Sequence, residues 1–159
     1  MRRFLWLLLA VFVSPELLVA LIIFSLYFFL PSLFGILGQH LKSDKEVWKY
    51  LPILPVALAT YVFSMSSKVR VPSKEELNKV LYEWPLYKLL VDRTYVGIFY
   101  SVICVVFSLI TWILGGGLED SIIGLFFLEA IVVSAVSALT MYEAAQKIQE
   151  ILVKNCSLK

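Results

Sequence analysis

The chain has 159 residues, of which 60% are hydrophobic and 16% charged, and its formal net charge is +2. That composition excludes a disordered segment and a disulfide-built secreted domain, since only two cysteines are present. Several apolar stretches are long enough to cross a bilayer, so the expected fold class is all-α: one polytopic membrane domain built as a four-transmembrane-helix bundle.

From Phe4 to Leu37 the chain is apolar except at Ser14-Pro15-Glu16, too long a run for one ordinary crossing. Ser14 can cap a helix, Pro15 suits its first turn, and Glu16 suits the positive end of its dipole. The first span is therefore placed at about 14–38, with Pro31 bending its far end. Phe4 to Val13 becomes an interfacial or bundle-capping segment anchored by Arg2, Arg3 and Trp6. A single tilted helix kinked at Pro15 is the other reading of this stretch. A secretory leader is disfavoured because the apolar stretch is too long and lacks a small-x-small cleavage site, so the segment reads as an uncleaved anchor. His40, just beyond the span, is expected to meet solvent or headgroups.

The second span is placed at about 51–66, starting near Pro52 and Pro55, and is the shortest. Residues 67–93 form a polar segment in which Ser73 caps a helix and Glu76 sits at the capping-box position. Leu77, Val80, Leu81 and Trp84 recur at helical spacing, which makes an amphipathic helix. It either lies against the bilayer or bundle base, or couples a cytoplasmic protein partner to the spans beside it. Its basic residues alternate with Glu75, Glu76, Glu83 and Asp92, a poor pattern for direct nucleic-acid binding.

The third span is placed at about 94–114 and the fourth at about 121–142. Gly115-Gly116-Gly117 breaks the periodicity between them and predicts an antiparallel hairpin. Residues 143–154 continue the fourth helix with an apolar face formed by Ala144, Ala145, Ile148, Ile151 and Leu152. Cys104 and Cys156 fall too far apart in this layout to pair, and no histidine or cysteine cluster has metal spacing, so neither metal nor cofactor is expected.

Two patterns in the fourth span bear on function. Ala130, Ser134 and Ala138 recur every fourth residue, a small-residue stripe suited to close helix packing within one chain or between copies. Glu129 lies near the middle of the apolar run 121–141, where a carboxyl is costly unless it faces protein, water or a partner. Val136 and Glu143 follow it at heptad spacing, with Thr140 alongside. Glu129, Thr140 and Glu143 are therefore the candidate intramembrane polar or pore residues. In a homo-oligomer Glu129 would form an acidic ring, one way to select cations. The bland alternative is a neutral carboxyl hydrogen-bonded to Tyr100, Ser101, Ser108 or Thr111 on the third span.

With four spans, eleven Lys and Arg residues fall on one side and three on the other. The positive-inside rule places both termini in the cytoplasm. Trp48, Tyr50, Trp84, Tyr95 and Trp112 fall near span ends, as interfacial aromatics do.

This layout, with cytoplasmic termini, a charged loop between spans two and three, a short outer turn and a final helix entering the cytosol, resembles that of small four-span membrane proteins of bacterial phage-exclusion and related defence systems. The resemblance implies residence in the bacterial inner membrane and an effector that depolarises it when a cytoplasmic sensor responds. No enzyme motif is present: the glycine triplet lacks the lysine and hydroxyl residue of a phosphate-binding loop. The expected function is a homo-oligomeric pore or ion-conducting effector. A non-conducting scaffold or accessory subunit is the alternative.

Overall fold

The computed structural model describes residues 9–70, 82 and 84–156, the side chains of 155 and 156 excepted. Leu77, Val80 and Leu81 fall outside the described residues. The described fold is all-α: α1 Pro15–Phe29, α2 Pro31–Ser43, the short α3 Lys45–Tyr50, α4 Ile53–Arg70, α5 Tyr87–Leu114 and α6 Asp120–Cys156. Among the described residues, three segments are long and apolar enough to cross a membrane: Lys45–Arg70, Tyr87–Leu114 and Asp120–Lys154. A fourth crossing is present if the bent pair α1 and α2 counts as one.

The stretch placed at 14–38 as one span is instead two helices meeting at 100°. Ser14 starts α1 as its composition suggests, its hydroxyl accepting from the Leu17 amide at 3.2 Å. The break is at Leu30, whose backbone (φ −134°, ψ 51°) leaves the helical region. Pro31 causes this by lacking an amide hydrogen and by crowding the residue before it out of the α conformation. Pro31 alone predicts a local bend; a complete break is what forms, because each half has its own place on α6.

Helix α6 is the post of the bundle, and α1, α2, α4 and α5 all pack on it. Contacts of the bent pair run along α6 from Thr140, bonded to Glu16, to the Leu118 carbonyl just before it, bonded to Lys42. The helical part of that interval, 120–140, is roughly 30 Å long, about the depth of a bilayer core. α2 lies against α6 at backbone contact. A Cβ on Gly124 would stand 2.1 Å from the Phe34 carbonyl oxygen, and one on Gly38 would stand 1.8 Å from that of Asp120. Lys42 closes the junction with an ion pair to Asp120 at 2.7 Å.

α5 and α6 are antiparallel neighbours across the glycine turn. Phe107 stacks on Phe126 at 5.6 Å, and Val96, Tyr100 and Cys104 pack with Ala130 and Val133. α4 completes the bundle through Val62, which is buried with Ala138 and Met141. Beyond that level, Val69 and Tyr87 bury against Ala144, Ala145, Ile148 and Leu152, with Trp84 packed alongside. The Tyr87 hydroxyl donates to the Arg70 carbonyl at 2.9 Å, which ties the end of α4 to the start of α5.

Candidate functional site

Buried hydroxyls lie on α5 at Thr94, Ser101, Ser108 and Thr111 and on α6 at Ser134 and Ser137, and two carboxyls of the bundle have opposite surroundings. The first is Glu16, in the opening turn of α1. Its side chain is 0% exposed and pairs with Arg93 Nη2. Ser137 Oγ donates to Glu16 Oε1 at 3.3 Å, and Thr140 Oγ1 lies 3.4 Å from the same oxygen. Arg93 Nη2 also reaches Thr140 Oγ1 at 3.3 Å. Three helices thus meet in one buried charged cluster: α1 gives the carboxylate, α5 the cation, and α6 two hydroxyls. The cluster is not saturated, because Glu16 Oε2 and Arg93 Nη1 are buried with no hydrogen-bond partner among the described residues.

Composition alone assigns Glu16 to the helix dipole, and its tertiary role carries no local sequence signal. A topological signal does exist. Glu16 lies in the first turn of the span placed at 14–38 and Arg93 immediately precedes the span placed at 94–114, so a four-span layout puts both at the same face of the bundle, where a carboxylate and a guanidinium at one depth can pair.

The second carboxyl is Glu129, in the membrane part of α6. Leu125, Leu128 and Val132 cluster with α1 and α2, while Ala130 and Val133 cluster with Val96, Tyr100 and Cys104 of α5 and with Leu17, Val19 and Ala20 of α1. With 100° between successive residues, Glu129 falls on the strip between these two sets. It is half-buried there, and no hydrogen bond or ion pair ends on it among the described residues. The hydroxyls that could have met it are engaged elsewhere. Tyr100 donates to the Val11 carbonyl at 3.0 Å and Ser101 to that of Gly97 at 2.8 Å. Ser108 donates to the Leu51 carbonyl at 3.3 Å, and Thr111 to that of Phe107 at 2.8 Å.

Thr140 lies on the same strip as Glu129, three helical turns away, and joins the Glu16 cluster. Half-buried Val136 stands between them. Glu143 is exposed on the extension of α6. The small-residue stripe is used inside the chain: Ala130, Ser134 and Ala138 are all buried, Ala130 against α5 and Ala138 against α4. Of the amphipathic set, Trp84 is described, and it packs against the cluster formed by Val69, Tyr87, Ala144, Ala145, Ile148 and Leu152.

His40 is exposed on α2, and no group of three or more metal-ligating side chains occurs among the described residues. The arrangement offers ion-pair chemistry at one depth and a lone acid at another. No protein-family model, curated protein or solved structure matches the chain.

Proposed function

We propose that the chain is a self-associating membrane protein whose copies meet along the Glu129 strip of α6 and conduct cations past the carboxyls they bring together. The observation that carries this reading is the half-buried Glu129 with no partner among the described residues, inside a membrane helix. A carboxyl at that depth is tolerated when it faces water or another protein surface. Val136 interrupts the polar groups along the strip, which favours a path between chains over one within a chain. A ring of acids is a recognised means of cation selection.

In this reading both termini face the cytoplasm of a bacterium, as the basic residues suggest, and opening depolarises the inner membrane. The layout resemblance to phage-exclusion effectors supports that role. A cytoplasmic partner would act through the 77–84 region, of which Trp84 packs against the cluster that joins α4, α5 and the α6 extension. A non-conducting scaffold is the second reading. It is favoured by the same layer, where Tyr87, Ala144, Ile148 and Leu152 form a folded platform beyond the Glu16 level.

Ion flux across liposomes separates the two. Wild-type protein should carry cations, and Glu129→Gln should change rate or selectivity while preserving fold and oligomer. Folded wild-type oligomers that carry no flux, alone or with a native cytoplasmic partner, would leave the scaffold.

A further inference from the structure

A hollow of about 440 Å³ opens at the bundle end opposite the Glu16 cluster, lined by Lys42, Lys45, Trp48, Lys49, Gly115 and Gly116. Three lysines line it and no carboxyl does. The nearby acids of α3 are turned elsewhere. Asp44 Oδ1 accepts from the Glu46 amide at 2.9 Å and the Val47 amide at 3.3 Å, and both Asp44 and Glu46 line a separate hollow with Val47, Tyr50 and Leu54. The sequence mixes the two signs over 42–49, and the fold sorts them.

Trp48 fixes the basic side in place. A Cβ on Gly115 would stand 2.1 Å from its ring, so the indole lies on bare backbone at the α5–α6 turn. Lys42 is committed to Asp120 at 2.7 Å and to the Leu118 carbonyl at 2.7 Å. The C-terminal end of α5 offsets a further charge of only about −0.5. Lys45 and Lys49 are exposed and have no ion pair or hydrogen bond among the described residues, so two open ammonium groups remain.

We propose that this hollow binds the headgroup phosphate of an anionic phospholipid in the leaflet at this end of the bundle. Two open ammonium groups give a phosphate charge-assisted donors. With no carboxyl lining the hollow, they favour a headgroup of net negative charge over a zwitterionic one. The candidate spans Lys45–Arg70 and Tyr87–Leu114 begin and end here, and Trp48 and Trp112 stand at those ends, where indole rings meet headgroups. Ile113 and Leu114, both exposed on the last turn of α5 next to Gly115, give acyl chains an apolar surface that a free phosphate ester cannot use. The inference is independent of the role of Glu129.

Native mass spectrometry of the detergent-purified full chain tests it, with phosphatidylglycerol and phosphatidylethanolamine supplied in turn at equal concentration. Phosphatidylglycerol should be retained at least fivefold better. Lys45→Gln combined with Lys49→Gln, both at exposed positions, should abolish that preference at an unchanged melting temperature. Lys68→Gln combined with Lys88→Gln removes the same charge from exposed positions at the other end of the bundle and should leave it intact. Lys49→Gln alone, with the preference at least halved, is the substitute should the double variant fold poorly. Equal retention of the two lipids, a preference that survives loss of Lys45 and Lys49, or one lost equally in the control would each overturn the proposal. Displacement of phosphatidylglycerol by millimolar glycerol phosphate would also overturn it, since the hollow would then take a free phosphate ester.

Discussion

Glu16 and Glu129 are both carboxyls on apolar helices of one small bundle, and the chain treats them differently. Glu16 is wholly buried and meets a guanidinium and two hydroxyls from two other helices. Glu129 is half-buried and meets none of the hydroxyls around it. The first is closed by its own chain and fixes how α1 sits against α5 and α6. The second has no hydrogen bond or ion pair among the described residues. Depth in the sequence run is therefore a poor guide to which charge is structural, and the partners decide.

Breaking the closed carboxyl should have the largest effect. Arg93→Leu strands a buried carboxylate and should cost about 3–5 kcal/mol in a reversible detergent unfolding assay. Adding Glu16→Leu should restore most of the loss, since a matched apolar pair removes the charge as well as its partner. A double variant as unstable as the single one would show that the cluster does more than pair charges.

Next in size is the α2 seam that holds the other half of the broken span. Gly124→Ala places a methyl against the Phe34 backbone, and overpacking of this kind should lower stability by about 1–3 kcal/mol. Gly35→Ala, which meets nothing within 4 Å, is the control. It should stabilise slightly, because alanine is the better helix former by about 0.5–1 kcal/mol. A seam that tolerated Gly124→Ala as readily would mean that α2 is not docked as described.

The open carboxyl should give a small stability effect. Glu129→Gln removes no partner among the described residues, so its unfolding free energy should move by less than about 1 kcal/mol, well under the Arg93→Leu effect. A loss as large as that of Arg93→Leu would mean that Glu129 is closed within its own fold. Smallest of all should be Lys147→Ala. That residue pairs with Glu150 at 3.2 Å with both side chains mostly exposed, and its loss should fall within about 0.5 kcal/mol.

Much of this organisation is legible in the chain. Ser14-Pro15 marks the start of α1, the glycine triplet marks the α5–α6 turn, and the apolar face at Ala144, Ala145 and Ile148 marks the continuation of α6. These are local signals, set by capping, backbone freedom and periodicity. The complete break at Leu30 is less legible, because Pro31 permits it but the docking of α2 onto Gly124 and Asp120 of α6 makes it favourable. The Glu16–Arg93 pair is separated by 77 residues, and composition near Glu16 explains that residue adequately without it. The stripe Ala130, Ser134, Ala138 reads equally well as an inner or an outer seam; only the positions of α4 and α5 assign it inward.

Cross-linking between copies at the Glu129 strip tests the central claim most directly. In a background with Cys104→Ala and Cys156→Ser, a cysteine replacing Val136 should link two chains in native membranes. One replacing Ile113, exposed on α5, should not. A linked dimer at position 136 alone is the expected result. Monomer at both positions, or equal linking at both, would contradict a meeting of copies along this strip.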